Sequence, residues 1–153
     1  MELEKFTASI ERFNEIYKLP CSQAPQILGI NRVKDFVSIL SEEIAEGTDI
    51  AEKYKAMGPH PQSAPLSDNH KEFLTDLSDW LGDIVVYCFS EAKRWGIPIE
   101  KVLGAIMDSN FSKLDANGKP IYDERGKVMK GPAYFRPEPK IAEILAVAMN
   151  SDS

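Results

Sequence analysis

The sequence predicts an all-α protein: a helical bundle of about four to five helices with a short C-terminal hairpin or flap. Apolar residues recur every three or four positions through several long segments, which is the period of an α-helix with one buried face. Segments containing proline and glycine separate these periodic stretches and predict the loops between them. With 153 residues, the chain has the length of an ordinary single domain. We therefore expect one helical domain spanning residues 1–153.

Composition and charge argue against several classes of partner. The formal net charge of -6 and the isoelectric point near 5.0 argue against a nucleic-acid polymer or an anionic membrane, because both require basic surfaces. No apolar stretch approaches the length of about 18 residues that marks a membrane span, and the N-terminus lacks a basic region followed by an apolar run. The two cysteines, Cys21 and Cys88, lie far apart and outside any CxxC pattern. The default expectation is a reduced, cytoplasmic location.

Two helices are predicted in the N-terminal third of the chain. The first covers residues 2–18 and is followed by Pro20, which cannot continue a helix. The second starts near Asn31 and runs into the fifties, with an apolar face at positions spaced by three and four. The segment Gly47-Thr48-Asp49 predicts a bend or an interruption of this second helix.

A loop and a third helix follow. Residues 57–69 are rich in proline, glycine and serine and predict a loop. His60 and His70 lie in or beside it, and we expect two surface histidines because no third ligand stands at metal spacing. The third helix, about residues 70–95, is apolar nearly all round and is predicted to be buried. Gly82, in the middle of this helix, is less favourable than alanine by about 1 kcal/mol, which suggests the close approach of another backbone.

The C-terminal third predicts two more helices around a flap. Helix four covers about residues 99–109 and the last helix about residues 138–149, each with one apolar face. Between them, residues 115–134 hold two short apolar runs among glycines, which predicts a small hairpin or an ordered flap. We find no internal repeat in the chain.

The acidic positions carry the predicted chemistry. An α-helix turns about 100° per residue, so Glu42, Glu43 and Glu46 occupy about a third of the circumference of helix two. Asp79 and Asp83 lie on one face of helix three among apolar neighbours, where a bare carboxylate is unfavourable unless it is paired or bound to a metal. Two such faces predict a site for a hard divalent cation, which prefers oxygen ligands. The alternative stays open that the glutamates form an ordinary solvated helix face.

Residues toward the C-terminus are candidates for binding an anionic ligand. Lys113, Lys127 and Lys130 are the nearest basic residues in sequence that would steady phosphates, and Asn110 is a candidate metal or sugar ligand. The alternative for Asn110 and Lys113 is a helix C-terminal cap beside a solvated lysine. The aromatic side chains of helix three are by default core or interface residues, with stacking on a base as the alternative.

The order of these motifs resembles the MazG-like all-α nucleoside triphosphate pyrophosphatases. The resembling motifs, over about residues 31–113, are EExxE at Glu42-Glu43-Ile44-Ala45-Glu46, the segment Leu81-Gly82-Asp83, and N-x-x-K from Asn110 to Lys113. The run from Ser109 to Phe135 is also similar to the tail of phosphoribosyl-ATP pyrophosphohydrolase-like members. The chain departs from the family pattern at Trp80, where a glutamate is expected, and in its longer loop between the acidic motifs.

The resemblance implies a Mg²⁺-dependent nucleotide pyrophosphohydrolase, with Mn²⁺ as a substitute, that cleaves a (d)NTP or a related nucleotide to the monophosphate and pyrophosphate. It implies that Glu42 and Glu43 are catalytic, with Glu42 as the base toward water. The implied metal ligands are Glu43, Glu46, Asp79 (in place of the acid missing at Trp80) and Asp83, and the implied substrate contacts are Asn110, Lys113, Lys130 and Tyr134. It also implies a homodimer or a dimer of dimers. The alternative function is a non-catalytic nucleotide-binding or helical interaction protein.

Overall fold

The computed structural model describes residues 2–61 and 63–150, and this part of the chain folds into five α-helices. In chain order they are α1 (Leu3–Ile16), α2 (Ile30–Met57), α3 (Asp68–Arg94), α4 (Ile99–Phe111) and α5 (Glu138–Asn150). The described residues form no β-strand, only an isolated antiparallel bridge between Tyr122 and Val128. The prediction of an all-α fold with four to five helices is confirmed.

Contacts divide the chain into two compact units. The acidic unit is Ile27–Glu91 and contains α2 and most of α3. The terminal unit combines Met1–Gln26 with Ala92–Ser153 and contains α1, α4 and α5. The single domain over residues 1–153 stays a prediction. Across the described ranges, every helix is too short or too polar to cross a membrane.

In the acidic unit, α2 is one continuous helix of 28 residues that runs through Gly47. The interruption predicted at Gly47-Thr48-Asp49 is therefore wrong, and the bend given as its alternative stays a prediction. The glycine has a different cause, because the ring of Trp80 on α3 lies so close that a Cβ at Gly47 would overlap its atoms Cζ2 and Cε2. Helix packing, and not a break in the chain, explains why the smallest residue stands here.

The acidic unit exposes apolar side chains on both of its helices. On α3, Leu74, Leu81 and Val85 retain 43%, 50% and 46% of their surface. A second exposed set lies on α2 and consists of Val33, Val37 and Ile44. Beside Gly82 no atom of the described chain outside its own helix backbone lies within 4 Å of the position that a Cβ would take. The predictions that helix three is buried, and that another backbone approaches Gly82, are therefore wrong within this chain.

The flap of the terminal unit contains a short repeat, so the expectation of no internal repeat is wrong for this segment. Residues 115–119 and 123–127 share the sequence DxxGK and the same turn. In each turn the aspartate Oδ1 accepts the backbone N–H groups of the residues two and four positions later, at 2.8 to 2.9 Å. Gly118 and Gly126 take φ angles of 74° and 76°, which side chains disfavour. The segment is thus an ordered flap with one β-bridge, one of the two structures predicted for it.

Candidate functional site

A hydrogen bond joins the two acidic motifs of the acidic unit. The indole Nε1 of Trp80 on α3 donates to the backbone oxygen of Glu43 on α2 at 2.7 Å. The same ring packs against Gly47, four residues and so about one helical turn further along α2. Trp80 therefore fixes how the helix carrying Asp83 lies against the helix carrying Glu43. The MazG-like proteins that the motif order resembles have a glutamate at the position of Trp80. In this chain Trp80 packs and donates a hydrogen bond instead.

Glu43 is the buried acid of the site. It retains only 8% of its surface, and its Oε2 atom is buried without a hydrogen-bond partner among the residues that the structure describes. Burial raises the pKa of Glu43 above its ordinary value of 4.5, and the negative charges of Glu46, Asp83 and Glu42 raise it further. An unpartnered carboxylate in such surroundings is unfavourable, and either a proton or a bound cation would relieve it.

A cavity of about 320 Å³ lies next to these acids in the same unit. The side chains that line it are Glu46, Asp49, Ile50, Lys53, Asp76 and Asp79. Lys53 Nζ on α2 lies 2.6 Å from Asp76 Oδ2 on α3, so an ion pair joins the two helices in the wall of the cavity. Asp49 and Lys53 were absent from the predicted site, although both follow Glu46 at helical spacings of three and seven.

The predicted metal ligands share one unit but differ in their surroundings. Glu46 and Asp79 line the cavity, whereas Asp83 acts on Glu43 through its charge. Among residues 2–61 and 63–150, no three His, Cys, Asp or Glu side chains already converge on one ion position. The residues Glu46, Asp79 and Asp83 are exposed, while Glu43 has an oxygen that is buried and unpartnered among the described residues. In donor chemistry the set fits Mg²⁺, which binds carboxylate oxygens.

Tyr87 also belongs to this acidic neighbourhood. Burial raises the pKa of its phenol, and the charges of Glu43 and Asp83, with smaller contributions from Glu42 and Glu46, raise it further. Tyr87 nevertheless keeps 37% of its surface exposed. Tyr87 lies one helical turn after Asp83, and that spacing is the signal by which the sequence points to it. A neutral phenol at this place is a hydrogen-bond donor beside the carboxylates.

In the terminal unit, the four residues predicted to contact substrate form two pairs. Lys113 Nζ donates to Asn110 Oδ1 at 2.7 Å, and Lys130 Nζ lies 4.5 Å from the centre of the Tyr134 ring. The backbone joins the pairs, because Gly131 N–H donates to the Lys113 carbonyl at 2.9 Å. A side chain at position 131 would overlap the backbone there, so glycine permits this contact.

No known protein-family profile matches the sequence, and no curated protein matches it. Among solved structures, the chain is similar to the crystal structure of a putative NTP pyrophosphohydrolase from Exiguobacterium sp. 255-15. The sequence identity is 19%, the TM-score is 0.53, and the match covers 94% of this chain and 95% of that chain. At this identity the likeness establishes a shared all-α fold.

Proposed function

We propose that this chain is a Mg²⁺-dependent nucleotide pyrophosphohydrolase that cleaves a (d)NTP or a related nucleotide to the monophosphate and pyrophosphate. The observation that carries the proposal is the buried, unpartnered Oε2 of Glu43 amid the charges of Glu46, Asp83 and Glu42. Such a group favours the binding of a hard cation. The shared fold with the Exiguobacterium protein supports a nucleotide as the substrate, as does the order of the EExxE, LGD and N-x-x-K motifs.

The proposed ligands of Mg²⁺, or of Mn²⁺ in its place, are Glu43, Glu46, Asp79 and Asp83. When bound, the ion would neutralise negative charge on the phosphates and polarise the phosphorus that is attacked. Asp79 replaces the family glutamate that Trp80 displaces, and it shares a cavity with Glu46. Trp80 supports the site indirectly, because its hydrogen bond holds the backbone of Glu43 in place.

Glu42 is the proposed general base. It is exposed and stands next to Glu43, so its carboxylate is accessible to a water molecule. In the proposed step it accepts a proton from water while the water oxygen forms a bond to the α-phosphorus. The bond between that phosphorus and its bridging oxygen breaks, and pyrophosphate leaves with the electron pair. Glu43 remains a carboxylate throughout this step, as a proposed ligand of the metal ion.

Lys53 is a proposed phosphate contact within the acidic unit. Its side chain is 60% exposed, and its only ion pair is the one with Asp76 among the described residues. Exposed ion pairs contribute about 0–1 kcal/mol, so the ammonium group can exchange a carboxylate oxygen for a phosphate oxygen at little expense. The other proposed substrate contacts belong to the terminal unit and are Asn110, Lys113, Lys130 and Tyr134.

A homodimer or a dimer of dimers is the proposed assembly. The apolar faces of α2 and α3 are the surfaces that a second copy would cover, because exposed apolar patches of this kind mark protein interfaces. Sedimentation equilibrium tests this, with Leu81→Asp and Val85→Asp as variants that should yield monomers. Two variants that keep the wild-type mass would contradict the proposed interface. We also propose a cytoplasmic protein without a nucleic-acid polymer or a membrane as its partner, in keeping with its acidic composition.

Pyrophosphate release from a panel of NTPs and dNTPs with Mg²⁺ tests the proposed reaction. We expect release from at least one nucleotide, loss of release in EDTA, and a loss of at least about 100-fold in Glu43→Gln and Asp83→Asn. Release that persists in both variants would overturn the site assignment. Mn²⁺ in place of Mg²⁺ should restore activity, because it accepts the same oxygen ligands.

A second candidate function is a non-catalytic helical interaction protein. The exposed apolar side chains of α2 and α3 favour it, because they suit a helical partner as well as a second copy. In that case no nucleotide would release pyrophosphate, and Mg²⁺ would leave the melting temperature unchanged. A nucleotide that binds without being cleaved would favour the related non-catalytic nucleotide-binding role.

A further inference from the structure

We propose that His60 and His70 form a binding site for a borderline transition metal ion, such as Zn²⁺ or Ni²⁺, separate from the carboxylates. Both histidines lie in the acidic unit, His60 just after the end of α2 and His70 in the first turn of α3. Neither has a role in the proposed hydrolysis. The ligands are imidazole nitrogens, which suit Zn²⁺, Ni²⁺ and Cu²⁺, whereas Mg²⁺ prefers oxygen.

The two imidazole rings are in contact although they stand ten positions apart in the sequence. Their centroids lie 4.2 Å apart and their planes make an angle of 50°. Both residues are partly buried, which neither confirms nor contradicts the expectation of two surface histidines. The contact brings His60 and His70 together near the two ends of the α2–α3 loop. An ion bound by both rings would hold these two ends together.

Ser67 holds the His70 ring in a fixed orientation. Its Oγ lies 2.6 Å from His70 Nδ1 and also accepts the backbone N–H of His70 at 3.3 Å. The Ser67 carbonyl accepts the N–H of Lys71 at 3.1 Å, which fixes the serine to the start of α3. Histidines that bind metals are usually oriented in this way, through a hydrogen bond at the ring nitrogen that does not touch the ion. When Nδ1 donates to Ser67, the Nε2 lone pair is free to bind a metal.

His70 Nε2 is buried and has no hydrogen-bond partner within residues 2–61 and 63–150. Buried polar atoms are almost always paired, and one that is not calls for an ion or a water molecule. The neighbouring ring that can share such an ion is that of His60. Because the described residues offer no third His, Cys, Asp or Glu at this place, water would complete the coordination. The unpaired oxygen of Glu43 and the unpaired nitrogen of His70 thus favour cations of different chemistry.

Titration calorimetry with Ni²⁺ tests the site directly, because the chain contains only two histidines. The experiment uses the full chain with Cys21→Ser and Cys88→Ser, which removes thiol ligands, at pH 7.5 in excess Mg²⁺, which occupies oxygen sites. We expect one Ni²⁺ per chain, with an affinity that falls at least tenfold in His60→Ala and in His70→Ala. Ser67→Ala should weaken binding by about tenfold, as losses of orienting hydrogen bonds do. Glu43→Gln should leave Ni²⁺ affinity unchanged.

Two results would overturn the proposal: no Ni²⁺ binding by the parent chain, or equal binding by the parent and both histidine variants. Circular dichroism melts of each variant check that it is folded. If His70→Ala disturbs the start of α3, His60→Ala still tests the proposal, because His60 lies in a loop. Because the readout is Ni²⁺ affinity, its outcome is independent of whether the chain hydrolyses a nucleotide.

Discussion

Trp80 on α3 donates its indole N–H to the backbone oxygen of Glu43 on α2, 2.7 Å away. The bond ties the two helices together at Glu43, whose Oε2 atom is buried and has no partner in the described part of the chain. Trp80 supplies no oxygen ligand itself, but its hydrogen bond positions Glu43, which is a proposed metal ligand. At position 80 the chain therefore has a side chain that joins the two acidic helices and carries no carboxylate.

Trp80→Phe should lower the free energy of unfolding by about 1 kcal/mol, because it keeps most of the ring but removes the N–H donor. Urea denaturation followed by circular dichroism measures the change. Pyrophosphate release should fall as well, because the backbone of Glu43 loses its anchor. Unchanged stability together with unchanged activity would show that the hydrogen bond does not position Glu43.

Gly47→Ala should destabilise the protein by about 1–3 kcal/mol, although alanine is the better helix former by about 1 kcal/mol. The added methyl group would overlap the Trp80 ring, and a shift of the ring would disturb its hydrogen bond to Glu43. The midpoint of urea denaturation measures the effect.

Gly82→Ala is the matched control for Gly47→Ala. Gly82 is also a helix-interior glycine, but the space beside it is open in the described chain. This variant should gain up to about 1 kcal/mol of stability from the helix propensity of alanine alone. Equal effects of the two substitutions would contradict the steric explanation for Gly47.

The helices were predictable from the sequence because apolar periodicity is a local signal. The reason for a glycine at position 47 was not predictable in this way. A glycine followed by threonine and aspartate favours a helix break by propensity, and its true cause is a ring 33 positions later in the chain. Burial of α3 was overestimated for a related reason. An apolar helix surface such as that of Leu81 and Val85 indicates that something covers it, but local spacing does not say whether that is the same chain or a second copy.

Part of the candidate site followed from spacing and part did not. Glu43, Glu46 and Asp83 were identified by motif order, and the structure places the charges of Glu46 and Asp83 close enough to raise the pKa of Glu43. Lys53 was missed because its partner Asp76 lies on another helix, 23 positions away, and only the packing of α2 on α3 brings them together. Burial of a single carboxylate oxygen is likewise a property of that packing.

Glu43→Gln should change how stability depends on pH in the absence of divalent cations. The pKa of Glu43 is raised in the folded protein above 4.5, so the folded state favours the protonated form. The free energy of unfolding therefore falls as the pH rises from about 4.5 through the raised pKa of Glu43. Below pH 4.5 the burial of Glu43 causes no such loss of stability. The variant should melt at a higher temperature than the wild type at pH 8 in EDTA, and the difference should vanish below pH 4.5.

With Mg²⁺ at pH 8, the wild type should melt at a higher temperature than Glu43→Gln, which reverses the order expected in EDTA. Binding to the folded state stabilises the wild type by mass action, and Glu43→Gln loses a ligand and most of that gain. Thermal melts with and without Mg²⁺ provide the measurement. A variant that is stabilised by Mg²⁺ as much as the wild type would remove Glu43 from the proposed ligands.

Lys53→Met should raise the KM for the nucleotide about tenfold, which corresponds to about 1.4 kcal/mol, with a smaller effect on kcat. The ammonium group lies at a cavity that Glu46 and Asp79 also line, so phosphates held there lose a cationic contact. Steady-state kinetics at saturating Mg²⁺ measures both constants. Because the substitution removes a positive charge beside carboxylates, the affinity for Mg²⁺ should not fall.

Lys55→Met is the control, since Lys55 lies on the same helix, is 77% exposed, and pairs with Glu52 instead of a residue of α3. It should leave KM, kcat and Mg²⁺ affinity at wild-type values. Equal increases of KM in both variants would mean that Lys53 acts only through the net charge of the helix. A lower Mg²⁺ affinity in Lys53→Met alone would instead mean that the ion pair with Asp76 holds the cavity in shape.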